Sequence, residues 1–238
     1  KEKLDKIAAE YDSSKHFDSV IAYYDVVEIK KRLCGNNVLE VGTSGGTVTK
    51  HILPLVKKLD VMEGSKLGIS RTKKLLGRSK KIRYFNLLWE DFKPKEKYSD
   101  ILFIRGLEHV NNPIKLLAQM KSWLKKEGVI HIIVPNAESW HRRRLVKQGK
   151  MKNLYSLRKH DLWVGHKRVY DVSSLKEHVE KSGLKIISSK KFFVKPLGAM
   201  GMGKITMNPK HPIVLLCYYG GKLIPSLATQ IYIRCKKN

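Results

Sequence analysis

Between residues 37 and 134 the chain alternates short, nearly unbroken apolar runs with stretches in which apolar residues recur every three or four positions. A strand buried on both faces reads as a continuous apolar run, and a helix laid on a sheet shows a one-sided stripe. The runs fall at 37–41, 58–62, 82–85, 99–104 and 129–134, with helical spacing at 47–56, 66–76 and 113–124. This order predicts an α/β fold, a mostly parallel sheet with helices on both faces.

The flanks fit one core with decorations, as expected for 238 residues. Residues 1–35 predict helices leading into the first strand, and 36–135 form the core. After Pro135 the rhythm breaks. Residues 136–171 are basic, aromatic and histidine-bearing with no clear strand, which predicts a lid. Residues 172–238 return to the core through a helix at 173–181 ended by Gly183, a strand at 184–194, a glycine- and methionine-rich stretch, a helix at 212–223 and a final strand at 229–235.

Lys and Arg number 48 against 21 Asp and Glu, a formal charge of +27. Such an excess attracts polyanions, phosphorylated metabolites or anionic lipid surfaces without choosing among them. Its densest knot is Arg142, Arg143, Arg144 and Lys147. Cys34, Cys217 and Cys235 show no CxxC or Cys/His spacing, so no structural zinc and no metal ligand is expected, and a reducing, cytoplasmic setting is. The opening KEKLDKIAAEYD shows no signal-peptide pattern. The longest apolar run, 212–219, is too short to span a bilayer.

Chemistry concentrates at VLEVGTSGGTVT, residues 38–49, where a strand, an acid, a glycine turn and a helix start follow one another. Gly42, Gly45 and Gly46 allow positive φ and close approach of a ligand, and the next helix offers free N–H groups. One strand later, Glu63 in VMEGS stands where a carboxylate accepts hydrogen bonds from ribose hydroxyls; the alternative is a helix-capping role, with Ser65 as cap.

LEVGTSGG, VMEGS, LLWEDF, SDILFIRGLEHVNNPIKLL and GVIHIIVPNA, in this order, resemble the class I, Rossmann-like S-adenosylmethionine-dependent methyltransferases over residues 36–137, and more loosely onward through HDLWVGHKRVYDVSSLKEHVEKSGL. The resemblance implies their sheet, with an antiparallel last strand, and their cofactor. It places Glu40, Gly42, Thr43, Ser44 and Gly46 around the methionine moiety, and Glu63 with its neighbours Gly64 and Ser65 at the ribose. Leu88, Trp89 and Glu90 would frame the adenine, Arg105 and Gly106 would lie under the sulfonium, and Tyr11 would come down from the leading helices. Ser44 departs from the family's usual glycine, and Leu88 from a common aspartate.

A sulfonium methyl is already electrophilic, so catalysis needs alignment of the acceptor and removal of its proton. His109, at the carboxyl edge of the sheet, is a candidate base, together with His160 and His166 from the lid. Asn136, Asp161, Arg168 and Tyr170 are candidates for holding substrate. A small, anionic, phosphate- or nucleotide-linked acceptor methylated at O or N reconciles the fold with the charge. The alternatives are a nucleic-acid or protein methyltransferase, favoured by the charge alone, and a binding module without turnover. Against the former, IRGLEHV stands where amino-directed DNA enzymes carry an NPPY-like motif, and no cysteine occupies a cytosine-attacking position.

Overall fold

The computed structural model describes residues 2–238. Seven strands form one sheet in the order β3-β2-β1-β4-β5-β7-β6. The strands are β1 (Asn37–Val41), β2 (Lys58–Met62), β3 (Ile82–Phe85), β4 (Tyr98–Ile104), β5 (Leu124–Pro135), β6 (Leu184–Phe192) and β7 (Gln230–Lys237). The first five run parallel, and β7 enters antiparallel between β5 and β6. This is the Rossmann-like methyltransferase sheet that the motifs imply.

Helices cover both faces. On one lie α2 (Asp18–Lys30), α3 (Thr49–Ile52), α4 (Lys66–Leu76), α9 (Ala199–Ile205) and α10 (Pro212–Leu223); on the other lie α5 (Pro113–Trp123) and α8 (Val172–Lys181). Alternation along the strands feeds two cores. Ile231, Ile233 and Cys235 of β7 pack towards α5 and α8, while Tyr232 packs towards α2 and α10. Inside the sheet, His131 bridges Asp100 (3.1 Å) and the Tyr232 hydroxyl (2.7 Å), so this buried polar set is satisfied from within.

Several boundaries differ from the sequence reading: the strand expected at 129–134 already begins at Leu124, and the one expected at 229–235 runs Gln230–Lys237. The helix expected at 47–56 is only the single turn of α3 followed by a 3-10 turn, Leu53–Leu55, because Pro54 has no N–H to continue an α-helical ladder. The strand expected at 184–194 stops at Phe192, where Phe193 takes a left-handed φ of 62° and its carbonyl turns to accept from Thr229. The 136–171 segment carries α6 (Trp140–Lys147) and α7 (Lys159–Trp163), held to the sheet edge by a bridge between Asn136 and Tyr170. Ahead of α2, α1 (Glu2–Glu10) completes the set.

Candidate functional site

At the carboxyl ends of β1 and β2 the glycine turn is held from both sides. Gly42 donates to the Met62 carbonyl at 2.8 Å, and Gly42, Ser44, Gly45 and Gly46 all take positive φ. Ser44 is the non-glycine among them, which is the local cost of its departure from the family pattern. Glu63 accepts from the N–H groups of Thr43 (3.0 Å), Ser44 (3.3 Å) and Ser65 (2.8 Å), so the carboxylate expected at a ribose also organises the turn. Ser65 caps α4, as its alternative reading required. Glu40 is buried with one oxygen unpartnered, and burial pushes its carboxyl up to about 8.

Helix α1 crosses this edge. Its Asp5 accepts from the Ser65 hydroxyl (2.6 Å) and the Leu67 amide (3.1 Å), and Arg71 donates to the Ala8 carbonyl. Leu4 and Leu88 close on Gly64 so tightly that a Cβ there would stand 2.6 and 3.0 Å from them. Gly64, Ser65 and Leu88 therefore lie together under α1. Trp89 is half-buried against the core on the α5 side with its carbonyl held by Gln119 at 3.0 Å, and Glu90 is exposed in the same 3-10 turn.

Past β4, Arg105 takes a left-handed φ of 49° and reaches α2, 3.6 Å from Asp18 and 3.4 Å from Asp25. Gly106 packs on the Phe103 ring, into which any Cβ would run. The Tyr11 hydroxyl donates to Asp18, so the leading tyrosine meets Arg105 through a shared carboxylate. Burial opposes ionisation of Asp18, but Arg105 and Lys195 hold it below its ordinary value. Asp25, fully buried, is pushed by burial up to about 7. The sequence motifs do not single out Asp18 or Asp25; for Asp25 the available signal is a carboxylate inside the apolar stretch AYYDVV of α2.

The histidines part company. His109 packs edge-on against His166, with ring centroids 4.7 Å apart. Burial, then the His166 charge, drives His109 down to about 3, which makes it a weak proton acceptor. Donor atoms of Glu108, His109 and His166 lie within 4.8 Å of one another, and one Glu108 oxygen is buried without a partner. Among the described residues these three form a group that could hold a divalent cation, a grouping that sequence spacing did not reveal. His160 stands exposed between Tyr11 (6.0 Å) and Trp163 (5.6 Å), and Trp163 donates to Glu10 of α1 at 2.8 Å.

The four residues expected to hold substrate are engaged internally. Asn136 donates to the Ala228 carbonyl (2.7 Å) and accepts from the Glu138 amide (3.1 Å). Tyr170 is buried, its hydroxyl 3.1 Å from His178. Arg168 caps the carbonyls of Leu107, Val110 and Asn111. Asp161 accepts from the Arg158 amide (2.9 Å) and Arg142 (3.3 Å). Beside the 136–171 segment lies a cavity of about 250 Å³ lined by His141, Arg144, Arg158 and the 196–198 turn, with Lys195 next to it. A larger hollow of about 390 Å³, bounded by Lys73, Gly77 and Ile82, lies at the end of α4 and the start of β3, away from the carboxyl edge.

A methyltransferase-domain family profile matches residues 8–189. No curated protein matches the chain. Among solved structures it is similar to the N-methyltransferase NodS from Bradyrhizobium japonicum WM9 in complex with S-adenosyl-L-homocysteine, at 12% identity and TM-score 0.58 over 93% of this chain and 87% of that one. It is also similar to an S-adenosylmethionine-dependent methyltransferase from Mesorhizobium loti (14% identity, TM-score 0.63, 89% of this chain and 96% of that one) and to the DhpI-SAM-HEP complex (16%, 0.59, 98% and 94%). At such identities the likeness is one of fold, while the profile spans most of the chain. The chain belongs to the methyltransferase-domain family, within the Rossmann-like class of S-adenosylmethionine-dependent enzymes.

Proposed function

We propose that this protein transfers the methyl group of S-adenosylmethionine to an oxygen or nitrogen of a small anionic molecule. The observation that carries the reading is the convergence, on one sheet edge, of the glycine turn with Glu63 and the Arg105–Asp18–Tyr11 network, with a cavity lined by Arg144 and Arg158 beside the 136–171 segment.

The turn fits the cofactor. Nothing lies within 4 Å of where a Gly42 Cβ would stand, Glu40 keeps a buried oxygen unpartnered, and the Glu63 carboxylate has acceptor capacity beyond its three N–H contacts. Glu40, Gly42, Thr43, Ser44 and Gly46 would hold the methionine part, Glu63 the ribose, and Leu88, Trp89 and Glu90 the adenine side. When bound, the cofactor supplies an electrophilic methyl. Arg105, fixed by Asp18 and Asp25, holds the floor beneath it and ties the leading helices over the site. His160, exposed beside Tyr11, would take the acceptor's proton at a ring nitrogen, a role for which His109 is disfavoured. Arg144 and Arg158 would bind the acceptor's anionic group, beside His141, which burial and the neighbouring Lys195 hold neutral.

Methyl transfer from labelled cofactor to a panel of phosphorylated small molecules, with tRNA, DNA and protein as comparators, tests the reading. Labelling confined to macromolecules would contradict it. Arg158→Ala is expected to raise the apparent KM of the anionic acceptor with little change in kcat, more so at low salt, where the lost charge is less screened.

A further inference from the structure

Helix α10, Lys222 apart, carries apolar side chains on both its core and its solvent side. Val214, Cys217, Tyr218 and Gly221 face the core, and the opposite side carries Ile213, Leu215, Leu216, Tyr219 and Leu223 in solvent. Leu223 is 82% exposed, Leu216 73% and Tyr219 56%, and next to α10 in sequence the α9 segment adds Met200 at 80%, with Ile205 and Met207. A soluble monomer seldom leaves so many large apolar side chains in solvent along neighbouring segments. The second observation is charge. No Asp or Glu follows Glu180, while the same 58 residues carry 11 Lys and Arg. Lys204 and Lys210 are exposed between the apolar positions, and Lys222 is 39% exposed although it reaches Glu28 at 3.2 Å.

We propose that the α9–α10 face docks the protein on the surface of an anionic lipid bilayer, its apolar side chains entering the headgroup boundary and its lysines meeting lipid phosphates. The apolar content of the face fits acyl chains, which nucleic acid does not offer, and the exposed Lys204, Lys210 and Lys222 among it fit an array of phosphates. A second copy of this chain is opposed by the same charge, since +27 would meet +27. The docking is peripheral, because no described helix is long and apolar enough to cross a membrane. Pro196, Leu197 and Gly198, just ahead of α9, also line the cavity beside the 136–171 segment, so on the function proposed above a lipid headgroup at the surface would lie next to the acceptor site.

Sedimentation of the full chain with phosphatidylcholine vesicles, with and without roughly a third phosphatidylglycerol, reads the docking alone, so its result stands apart from any result on methyl transfer. Binding to the anionic vesicles that weakens with salt, and falls about tenfold in Leu216→Glu combined with Leu223→Glu, is the expected result. Both leucines are exposed, so the variant should keep its fold, checked by unchanged circular dichroism. A Leu216→Trp variant gives a second readout, with its added emission shifting to the blue on anionic vesicles. Absence of anionic-vesicle binding, binding untouched by the double substitution, or emission from the Leu216→Trp variant that does not shift would overturn the proposal. So would a dimer in light scattering that the double substitution abolishes, which would assign the face to a second copy.

Discussion

Glu40 stands near the end of β1 with one oxygen lacking a partner and its carboxyl raised from 4.5 to about 8 by burial. The neutral form therefore contributes stability that is present below pH 4.5 and is lost as pH rises through about 8. Glu40→Gln removes this dependence. In urea unfolding the variant should match the wild type near pH 4.5 and gain on it as pH rises towards 8, by up to about 1.4 kcal/mol per pH unit; a gap that shrinks over that window would contradict the assignment. A cationic cofactor moiety would favour the ionised carboxylate, so S-adenosylmethionine binding should tighten over the same window and release protons. Calorimetry in buffers of different ionisation heat measures that release. Glu63→Gln keeps the side-chain shape but loses the charge, and should weaken cofactor binding by roughly 1.5–3 kcal/mol. For His160→Ala the expectation is a fall in kcat with cofactor affinity unchanged, whereas wild-type turnover would mean that placement alone drives transfer.

At the scale of elements, α10 depends on one close approach. Gly221 lies against the backbone of Phe193, which any Cβ would strike, and main-chain atoms cannot move aside as a side chain can. Gly221→Ala should lift α10 from β6 and lower stability by about 1–3 kcal/mol, read as a fall in denaturant midpoint. A midpoint equal to the wild type would show that α10 is not fixed there. What could be read from sequence follows the same local logic. The strands and the glycine turn were legible because their signals, apolar runs and glycines at positive φ, lie within a few residues. Asn136 looked like a pocket residue, yet its amide is consumed by Ala228 and Glu138, and the first of these is brought beside it only by the fold. The pairing of His109 with His166 and the crossing of α1 over Gly64 and Leu88 likewise arise from chain segments that meet only after folding. Lys195 and Arg158 gave no local signal, being two cations among 48.

Over the whole molecule, the sheet order places the glycine turn, Glu63 and Arg105 at the ends of three neighbouring parallel strands, where open α/β sheets bind ligands. The leading helices meet the 136–171 segment through Trp163 to Glu10 and Tyr11 to His160. The charge of +27 surrounds a site whose proposed substrate is an anion, so long-range attraction and local recognition act in the same direction. Everything proposed for this edge requires that it hold the methyl donor. Isothermal titration of the purified chain with S-adenosylmethionine and with S-adenosylhomocysteine is the most direct measurement. Saturable binding of one molecule of either ligand per chain, weakened in Glu63→Gln, is expected; heats no different from dilution with both ligands would contradict the assignment of this edge.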